Sequence, residues 1–547
     1  MKFACQNCVA EFPMISGKSY ADPFNQVTLD VVFADPEGEE KRVPAFWAGE
    51  NTWRVRYSSP KAGLHRYRSI CSDASNPDLH GHQGAIEVTP YEGANPLLRR
   101  GHLQAAEDRR HLQHSDGTPF FWLGDTWWFG LVKRLTWPGD FKRLTADRAA
   151  KGFTLVQIVA GLYPDVYQFD PRGANEAGFP WTEGYKAVNP SYFDMMDLRI
   201  EWLVRSGIVP CIVGSWGFYF KFAGVEVMKK HWRNLIARYA AYPVAWCIAG
   251  EAVGAFYFEN WGEDYPAHAR KGWTEITRHV RSLDPYRNPI TVHPTFPDSR
   301  AMIEDDSLLD VDMLQTGHSY TSMEQTVRTV IECIAKTPPL PVINGEPMYE
   351  GIMGTCWHDM QRFCFWTSML SGSAGHTYGA NGIWQMGTPE EPCVSISGSW
   401  GETTWEEAHQ LAGSAHMGVG KRLLERYPWW RFQPRVEPNW NYEERISPFA
   451  AGIPGAVWVI YLTTDSIETK FWGLKGKSIQ IEPGARYRAY FHNPRTGADK
   501  EIGPVEPDAN KLWPIPHKPS REDWVLVVEG RAAPGAEATS GEGSEFR

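Results

Sequence analysis

The chain has 547 residues, with 55 Lys or Arg against 65 Asp or Glu and a formal net charge of −10. A chain of this length predicts about two to four domains. The acidic balance argues against a general nucleic-acid binder, which needs a cationic surface. With 42% hydrophobic and 22% charged residues the chain is not compositionally disordered. Its 25 Trp residues suit aromatic cores or a cleft that stacks on sugar rings.

The N-terminus and the cysteines bear on compartment and cofactors. The N-terminal residues lack the apolar run of a secretion signal, and no run of about 18 apolar residues predicts a membrane span. Nine cysteines are scattered, and Cys211 and Cys247 lie in apolar, strand-like runs where a thiol acts as a small hydrophobe. We therefore expect a cytoplasmic protein with no metal, cofactor, membrane or nucleic-acid partner. Assembly into a homo-oligomer stays open.

Three segments of the chain differ in their hydrophobic pattern. Residues 1–93 read as short alternating strands between turns, which predicts a β-sandwich. Residues 94–440 alternate short apolar runs with amphipathic stretches. Residues 441–530 return to alternating strands and predict a second β-sandwich. Residues 531–547 are rich in small residues, which predicts a disordered tail.

The middle segment predicts a (β/α)8 TIM barrel, in the α/β class. Eight strand candidates occur, at residues 120–125, 152–160, 208–216, 243–251, 288–294, 311–320, 340–347 and 373–379. Predicted helices between them include Arg143–Lys151, Tyr192–Ser206, Val227–Tyr242 and Trp273–Leu283. The alternative is a doubly wound open sheet, but no Gly-rich phosphate motif follows the first strand.

Two glutamates stand at the ends of strongly apolar strands. Glu251 ends the fourth strand candidate and Glu346 the seventh. Catalytic groups of such barrels lie at the carboxyl ends of the strands, and strands four and seven are nearly opposite, so we expect both side chains to converge over the barrel mouth. Two facing carboxyls suit glycoside hydrolysis, in which one donates a proton and the other attacks or orients water. Either glutamate alone could instead cap a helix or form a salt bridge.

Polar and aromatic residues at the other strand ends are candidates for sugar binding. Asp125 could accept hydrogen bonds from sugar hydroxyls or cap the next helix. His318 and Tyr320 could hydrogen-bond Glu346 or form a buried core pair, and Trp384 could lie beneath the sugar ring. The candidate substrate-binding residues are Asp125, Trp127, Trp128, Gln157, Trp216, His293, His318, Tyr320, His376, Tyr378 and Trp384.

Other catalytic constellations are weaker. The histidines have no zinc-like spacing, which disfavours a metallohydrolase. No Gly-x-Ser-x-Gly elbow and no Walker-type loop occur either.

Several motifs resemble those of the apiosidase-like glycoside hydrolases. They are PFFWLGDTWW, RAAKGFTLVQ, IAGE, NGEPMYE and LSGSAGHTYG. The segment FWAGENTWRVR resembles the β-sandwich that precedes such barrels, and the C-terminal module looks like the collagen-binding-type β-domain of that group. The resemblance implies a clan-A-type barrel and a retaining mechanism. It implies that Glu346 is the nucleophile, Glu251 the acid/base and Asp125 part of the sugar-binding subsite.

These observations predict a retaining glycoside hydrolase. It would cleave a terminal sugar or short oligosaccharide from a plant or microbial glycan or glycoside. The alternative is a non-catalytic carbohydrate-binding or surface-interaction protein on a barrel scaffold, although a pure binder has no need of both Glu251 and Glu346. A lyase or transglycosylase on the same barrel is a third hypothesis.

Overall fold

A computed structural model gives the architecture of most of the chain. It describes residues 2–254, 257, 262–395, 398–437, 440, 448–464, 477–482 and 486–531. The predicted tail therefore lies outside the described residues, apart from its first residue. A TIM barrel occupies the middle, with β domains before and after it, as the hydrophobic pattern predicts.

The N-terminal domain is a β-sandwich. Its sheets have the strand orders β1-β8-β7-β3-β4 and β2-β6-β5, and side chains such as Phe33, Trp53 and Ile86 fill the space between them. A short helix interrupts the strands after Asp22, whose side chain caps it. The elements are β1 (Lys2–Cys5), β2 (Ala10–Ile15), α1 (Pro23–Gln26), β3 (Leu29–Ala34), β4 (Glu40–Pro44), β5 (Phe46–Trp47), β6 (Thr52–Tyr57), β7 (Gly63–Cys71) and β8 (Gln83–Thr89).

A small three-stranded sheet leads into the barrel. It has the order β11-β10-β9 and follows a five-residue helix. The elements are α2 (Pro96–Arg100), β9 (Leu103–Ala105), β10 (Leu112–His114) and β11 (Pro119–Phe120).

The barrel is built from eight parallel strands, one for each predicted strand. Their order is β16-β15-β14-β13-β12-β19-β18-β17, and Val311 N donates to Ile290 O at 3.2 Å between the two end strands. The strands are β12 (Trp122–Trp127), β13 (Leu155–Val159), β14 (Val209–Val213), β15 (Ala245–Cys247), β16 (Ile290–Thr291), β17 (Asp312–Gln315), β18 (Val342–Glu346) and β19 (Gly375–Tyr378). The helices are α3 (Gly139–Lys151), α4 (Pro190–Arg205), α5 (Tyr219–Tyr239), α6 (Tyr265–Leu283), α7 (Met323–Ile334) and α8 (His358–Leu370).

The barrel strands are buried on both faces. Every residue of β13, β14 and β18 is buried, because helices cover the outside while the barrel interior packs on the inside. Helix α6 ends at Leu283 as predicted and buries Trp273, Ile276 and Val280, but it begins earlier than predicted, at Tyr265, because Tyr265 and Ala269 extend the same buried face.

The C-terminal domain is again a β-structure. A six-stranded sheet with the order β22-β23-β24-β29-β26-β27 packs with the pair β25-β28 around one apolar core. Arg362 of α8 makes a structural ion pair with this domain, with Nε 2.7 Å and Nη2 2.8 Å from the carboxylate of Asp523. The elements after the barrel are β20 (Cys393–Ser395), β21 (Gly398–Gly401), α9 (Trp405–Ala408), α10 (Ala412–Leu424), β22 (Gln433–Arg435), β23 (Phe449–Ile453), β24 (Val457–Leu462), β25 (Ser478–Gln480), β26 (Arg486–His492), β27 (Asp499–Pro504), β28 (Leu512–Pro514) and β29 (Trp524–Arg531).

Short 3-10 turns connect several of these elements. They are Pro171–Gly173, Glu183–Tyr185, Ser299–Met302, Asp306–Leu308, Tyr320–Ser322, Ile352–Gly354 and Trp429–Arg431. None of the helices in the described ranges combines the length and apolar character that crossing a membrane requires.

Candidate active site

A pocket of about 350 Å³ opens at the carboxyl ends of the barrel strands. This volume lies in the range of about 300–1,000 Å³ that is typical of small-molecule sites. A larger pocket, of about 540 Å³, adjoins residues 372–374, which precede β19 at the opposite end of the barrel, and contains neither Glu251 nor Glu346. The smaller pocket is lined by Trp128, Pro164, Asp165, Trp216, Glu251, Tyr257, Gln315, His318, Glu346, Tyr349, Ile352, Trp384 and Trp400.

Strand register places Glu346 beside Gln315. Glu346 is the last residue of β18 and Gln315 the last of β17, and the two are register partners. A bulge between Leu314 and Gln315 creates this pairing, since Leu314 still pairs with Asn344. Thr316 N donates to Glu346 O at 3.0 Å and fixes the end of the strand.

Glu251 sits in a loop that follows β15. Its φ of 46° lies in the left-handed region, where a non-glycine residue is strained, and such strain is concentrated at functional sites. Trp216 forms an isolated bridge with Gly250, which fixes the residue just before Glu251.

A glycine precedes each of the two glutamates, because a neighbouring side chain fills the space that the Cβ atom of any other residue would need. At Gly250 a Cβ would collide with the indole of Trp216, and at Gly345 it would collide with Met313. A larger residue at Gly250 would therefore displace Trp216, which lines the pocket, and one at Gly345 would displace the buried side chain of Met313.

The structure brings the two carboxylates together through one amide group. Gln315 Nε2 lies 3.0 Å from Glu251 Oε1 and 3.0 Å from Glu346 Oε1. These two oxygens are therefore separated by no more than twice that distance. The side chains that the sequence predicts to converge over the barrel mouth do meet there, across a shared pocket.

Glu251 lies among hydrogen-bond donors but few charges. The indole Nε1 of Trp216 donates to Glu251 Oε2 at 3.2 Å, and the hydroxyl of Tyr257 donates to the same oxygen. Burial, and next the negative charge of Glu346, raise the pKa of Glu251 above its ordinary value. This environment favours the protonated carboxyl.

Glu346 lies between two histidines. His318 Nε2 is 2.8 Å from Oε1, and His293 Nε2 is 2.7 Å from Oε2 as an ion-pair contact without good hydrogen-bond alignment. Burial alone would raise the pKa of Glu346, but the charges and contacts of His293 and His318 outweigh it and lower the pKa well below its ordinary value. This environment favours the ionised carboxylate, so the pKa values of the two glutamates are shifted in opposite directions.

Four indoles form most of the remaining wall. The rings of Trp128 and Trp216 meet edge to face with centroids 5.4 Å apart, and Trp384 and Trp400 do so at 6.0 Å. Flat apolar walls of this kind stack on the apolar faces of sugar rings. The sequence predicted Trp128, Trp216 and Trp384 as sugar-binding residues, and all three line the pocket.

Asp125 lies outside the pocket, in the buried interior. Its Oδ2 accepts from Arg148 Nε at 2.6 Å and from Trp127 Nε1 at 2.7 Å, and its Oδ1 accepts from Thr126 N at 2.9 Å. The interpretations of Asp125 as a sugar ligand and as a helix cap are wrong, because its oxygens are occupied and it lies inside β12. Trp127 is likewise buried, with its ring edge-on to Phe141 at 5.7 Å.

Four further candidates do not line the pocket. Gln157 Nε2 donates to Gly345 O at 3.0 Å and so supports the backbone beside Glu346. His376 is buried against Phe365, and burial lowers the pKa of His376 to about 3. The other two lie away from the pocket for different reasons: Tyr378 OH donates to Glu350 Oε2 at 2.5 Å, and Tyr320 is 42% exposed in a turn.

Several pocket residues escaped the sequence reasoning. Asp165 and Tyr257 come from stretches that follow β13 and β15, and Trp400 comes from β21, beyond the last barrel strand; no local periodicity marks these side chains as pocket-facing. Tyr349 had a signal, since it belongs to the NGEPMYE motif, and its ring lies 4.8 Å from that of His318. Within the described residues, no cluster of three or more His, Cys, Asp and Glu side chains is arranged to hold a metal ion.

Comparison with known proteins places this site in a family. A model described as "Apiosidase-like, catalytic domain" matches residues 106–431, which is more than half of the chain. A domain of unknown function, DUF5060, matches residues 7–72. None of the curated proteins matches this chain in sequence. The likeness of the C-terminal module to a collagen-binding-type domain stays a prediction.

Solved structures share the fold. A glycoside hydrolase is 24% identical with a TM-score of 0.65, covering 80% of this chain and 98% of its own. A glycoside hydrolase family 5 structure from Bacteroides vulgatus is also 24% identical with a TM-score of 0.65, over 80% of this chain and 95% of its own. A third structure, from the same organism, is 18% identical with a TM-score of 0.71, over 97% of this chain and 100% of its own. The family match covers more than half of the chain, and the motifs and the pair of carboxylates at the barrel mouth agree with it. The chain therefore belongs to the apiosidase-like family and is a glycoside hydrolase.

Proposed function

We propose that the enzyme is a retaining, exo-acting glycosidase in which Glu346 is the nucleophile and Glu251 the acid/base. The observation that carries this proposal is the position of Gln315 Nε2, 3.0 Å from an oxygen of each glutamate. Inverting enzymes hold their carboxyls about 6.5–9.5 Å apart to admit a water, and retaining enzymes about 5–5.5 Å apart. The upper limit on the oxygen separation here falls below the inverting range.

The chemistry divides into two displacements. In the first, a carboxylate oxygen of Glu346 attacks the anomeric carbon while Glu251 gives its proton to the departing glycosidic oxygen. In the second, Glu251 takes a proton from water, the water oxygen attacks the anomeric carbon, and the bond to Glu346 breaks. The opposite pKa shifts of the two glutamates supply the protonation states that the first step needs.

The size and lining of the site support exo action. The volume of about 350 Å³ lies near the lower end of the range of about 300–1,000 Å³ typical of small-molecule sites, which favours a short ligand over a long chain. Trp128, Trp216, Trp384 and Trp400 all line this space, and their flat faces suit stacking against a single sugar ring. We therefore infer that a terminal sugar of a plant or microbial glycan or glycoside enters the pocket.

The test is the configuration of the first product formed from a 4-nitrophenyl glycoside. A panel covering both anomers of common hexoses and pentoses identifies a substrate, and proton NMR during the first turnovers reads the anomer released. We expect the product to have the configuration of the substrate. A product of opposite configuration would contradict the retaining mechanism, and binding without hydrolysis of any glycoside would favour the non-catalytic alternative.

A further inference from the structure

A third carboxylic acid, Asp165, lines the pocket that holds the two glutamates. It lies in the loop after β13, is only 8% exposed and has a φ of 56°, in the left-handed region. A residue with such a strained backbone conformation persists only where the surrounding structure holds it in place. The proposed displacement steps leave Asp165 without a role.

A fixed hydrogen bond holds the orientation of Asp165. Gln385 Nε2 donates to Asp165 Oδ2 at 3.3 Å. The Gln385 amide is itself held by β20, because Val394 N donates to its Oε1 at 2.7 Å and its Nε2 donates to Val394 O at 2.5 Å. The Asp165 side chain is therefore positioned from outside the pocket, as a preorganised ligand-binding group would be.

The surroundings of Asp165 favour its neutral form. Burial raises the pKa of Asp165 well above its ordinary range, and the carboxylates of Glu251 and Glu346 add to this shift when they are ionised. Since an amide N–H points at Oδ2, the acid proton belongs on Oδ1, where it is a hydrogen-bond donor.

The charges around the pocket are unsuited to an anionic sugar. No Lys or Arg is among the described residues that line it. The two histidines in contact with Glu346 are already paired with that carboxylate. The carboxylate of a uronic acid would thus enter a buried, acidic site without a cationic partner, which is strongly unfavourable.

We propose that Asp165 determines substrate specificity by donating a hydrogen bond to a hydroxyl of an uncharged terminal sugar, and that this pocket rejects uronic acids. The proposal rests on the proposed glycosidase function and deepens it. It assigns the substrate class, neutral glycosides, and one residue that recognises them.

The experiment measures kcat/KM with 4-nitrophenyl hexosides, their matching uronides, and the monodeoxy analogues of the preferred hexoside. For the wild type we expect the neutral glycoside to be favoured over its uronide by at least about 10²-fold, and one monodeoxy analogue to lose about 10²-fold. The Asp165→Ala enzyme should cleave the parent glycoside with about the kcat/KM that the wild type has for that analogue. It should also no longer distinguish the parent glycoside from the analogue. Asp165→Asn, which keeps a neutral donor, should retain activity within about tenfold.

Asp170→Ala is the matched control, since Asp170 is in the same loop but pairs with Arg172 away from the pocket. A wild-type enzyme that cleaves the uronide as well as the neutral glycoside would overturn the proposal. So would an Asp165→Ala enzyme that keeps the full monodeoxy penalty. If the wild type cleaves no glycoside at all, the proposed function fails as well, whereas normal hydrolysis with an unaffected Asp165→Ala enzyme overturns only the role of Asp165.

Discussion

Replacing Glu346 by Ala should lower kcat by on the order of 10⁴-fold or more while the fold persists, because the attacking oxygen is lost. Sodium azide should restore part of the activity, since truncation leaves space between His293 and His318 for a small anion that attacks the anomeric carbon directly. The azide product should have the configuration opposite to that of the substrate, as one displacement replaces two. Stopped assays on a 4-nitrophenyl glycoside, with NMR of the azide product, measure both effects.

Glu350→Gln provides a matched control for this variant. Glu350 is four residues further along and equally buried, but it accepts from Tyr378 and from Gly413 N rather than facing the pocket. Circular dichroism and thermal melting should show both variants folded. An Asp or Glu elsewhere would have to be the nucleophile if Glu346→Ala kept near-normal turnover, or if azide gave a product of unchanged configuration.

Replacing Glu251 by Ala should produce a defect that depends on the leaving group. An aryl glycoside with a poor leaving group needs a proton donor, so its kcat/KM should fall by about 10²–10⁴-fold. A 2,4-dinitrophenyl glycoside leaves without protonation, and its first displacement should be nearly unchanged. The comparison of the two substrates in one variant is its own control for folding.

The pH dependence of kcat/KM follows from the raised pKa of Glu251. The acid must be protonated in the free enzyme, so activity falls as the pH rises through that pKa and the profile has an alkaline limb. Glu251→Ala removes the group that titrates, so the limb should disappear for the 2,4-dinitrophenyl glycoside. Persistence of the same limb in the variant would assign it to another residue and would contradict the acid/base role.

The positions of Glu251 and Glu346 were predictable because buried parallel strands have continuous apolar runs in their sequence. The polar residue that ends such a run is visible in the sequence, and parallel strands bring their carboxyl ends to one rim. The contact of both with Gln315 was not predictable, since it depends on a bulge after Leu314 that leaves no mark in the composition.

The errors at Asp125, His376 and Tyr378 have a different physical cause. Both faces of a barrel strand are buried, so a polar residue in it can face the interior, the helices or the pocket, and periodicity does not distinguish these directions. Asp125 found Arg148 as a partner, 23 residues away in sequence. Asp165 was missed for another reason. It lies in a loop, and the conformation of that loop, which has no signal in the sequence, brings it into the pocket.

The most direct test of the two-carboxylate mechanism is to trap the covalent intermediate. The enzyme is inactivated with the 2,4-dinitrophenyl 2-deoxy-2-fluoro derivative of its preferred sugar, digested with trypsin and sequenced by mass spectrometry. We predict one sugar per enzyme in the peptide Thr337–Arg362, with fragmentation placing it on Glu346 rather than on Glu350. A sugar on Glu251 in the peptide Tyr239–Arg270, or release of dinitrophenol without any adduct, would contradict the account.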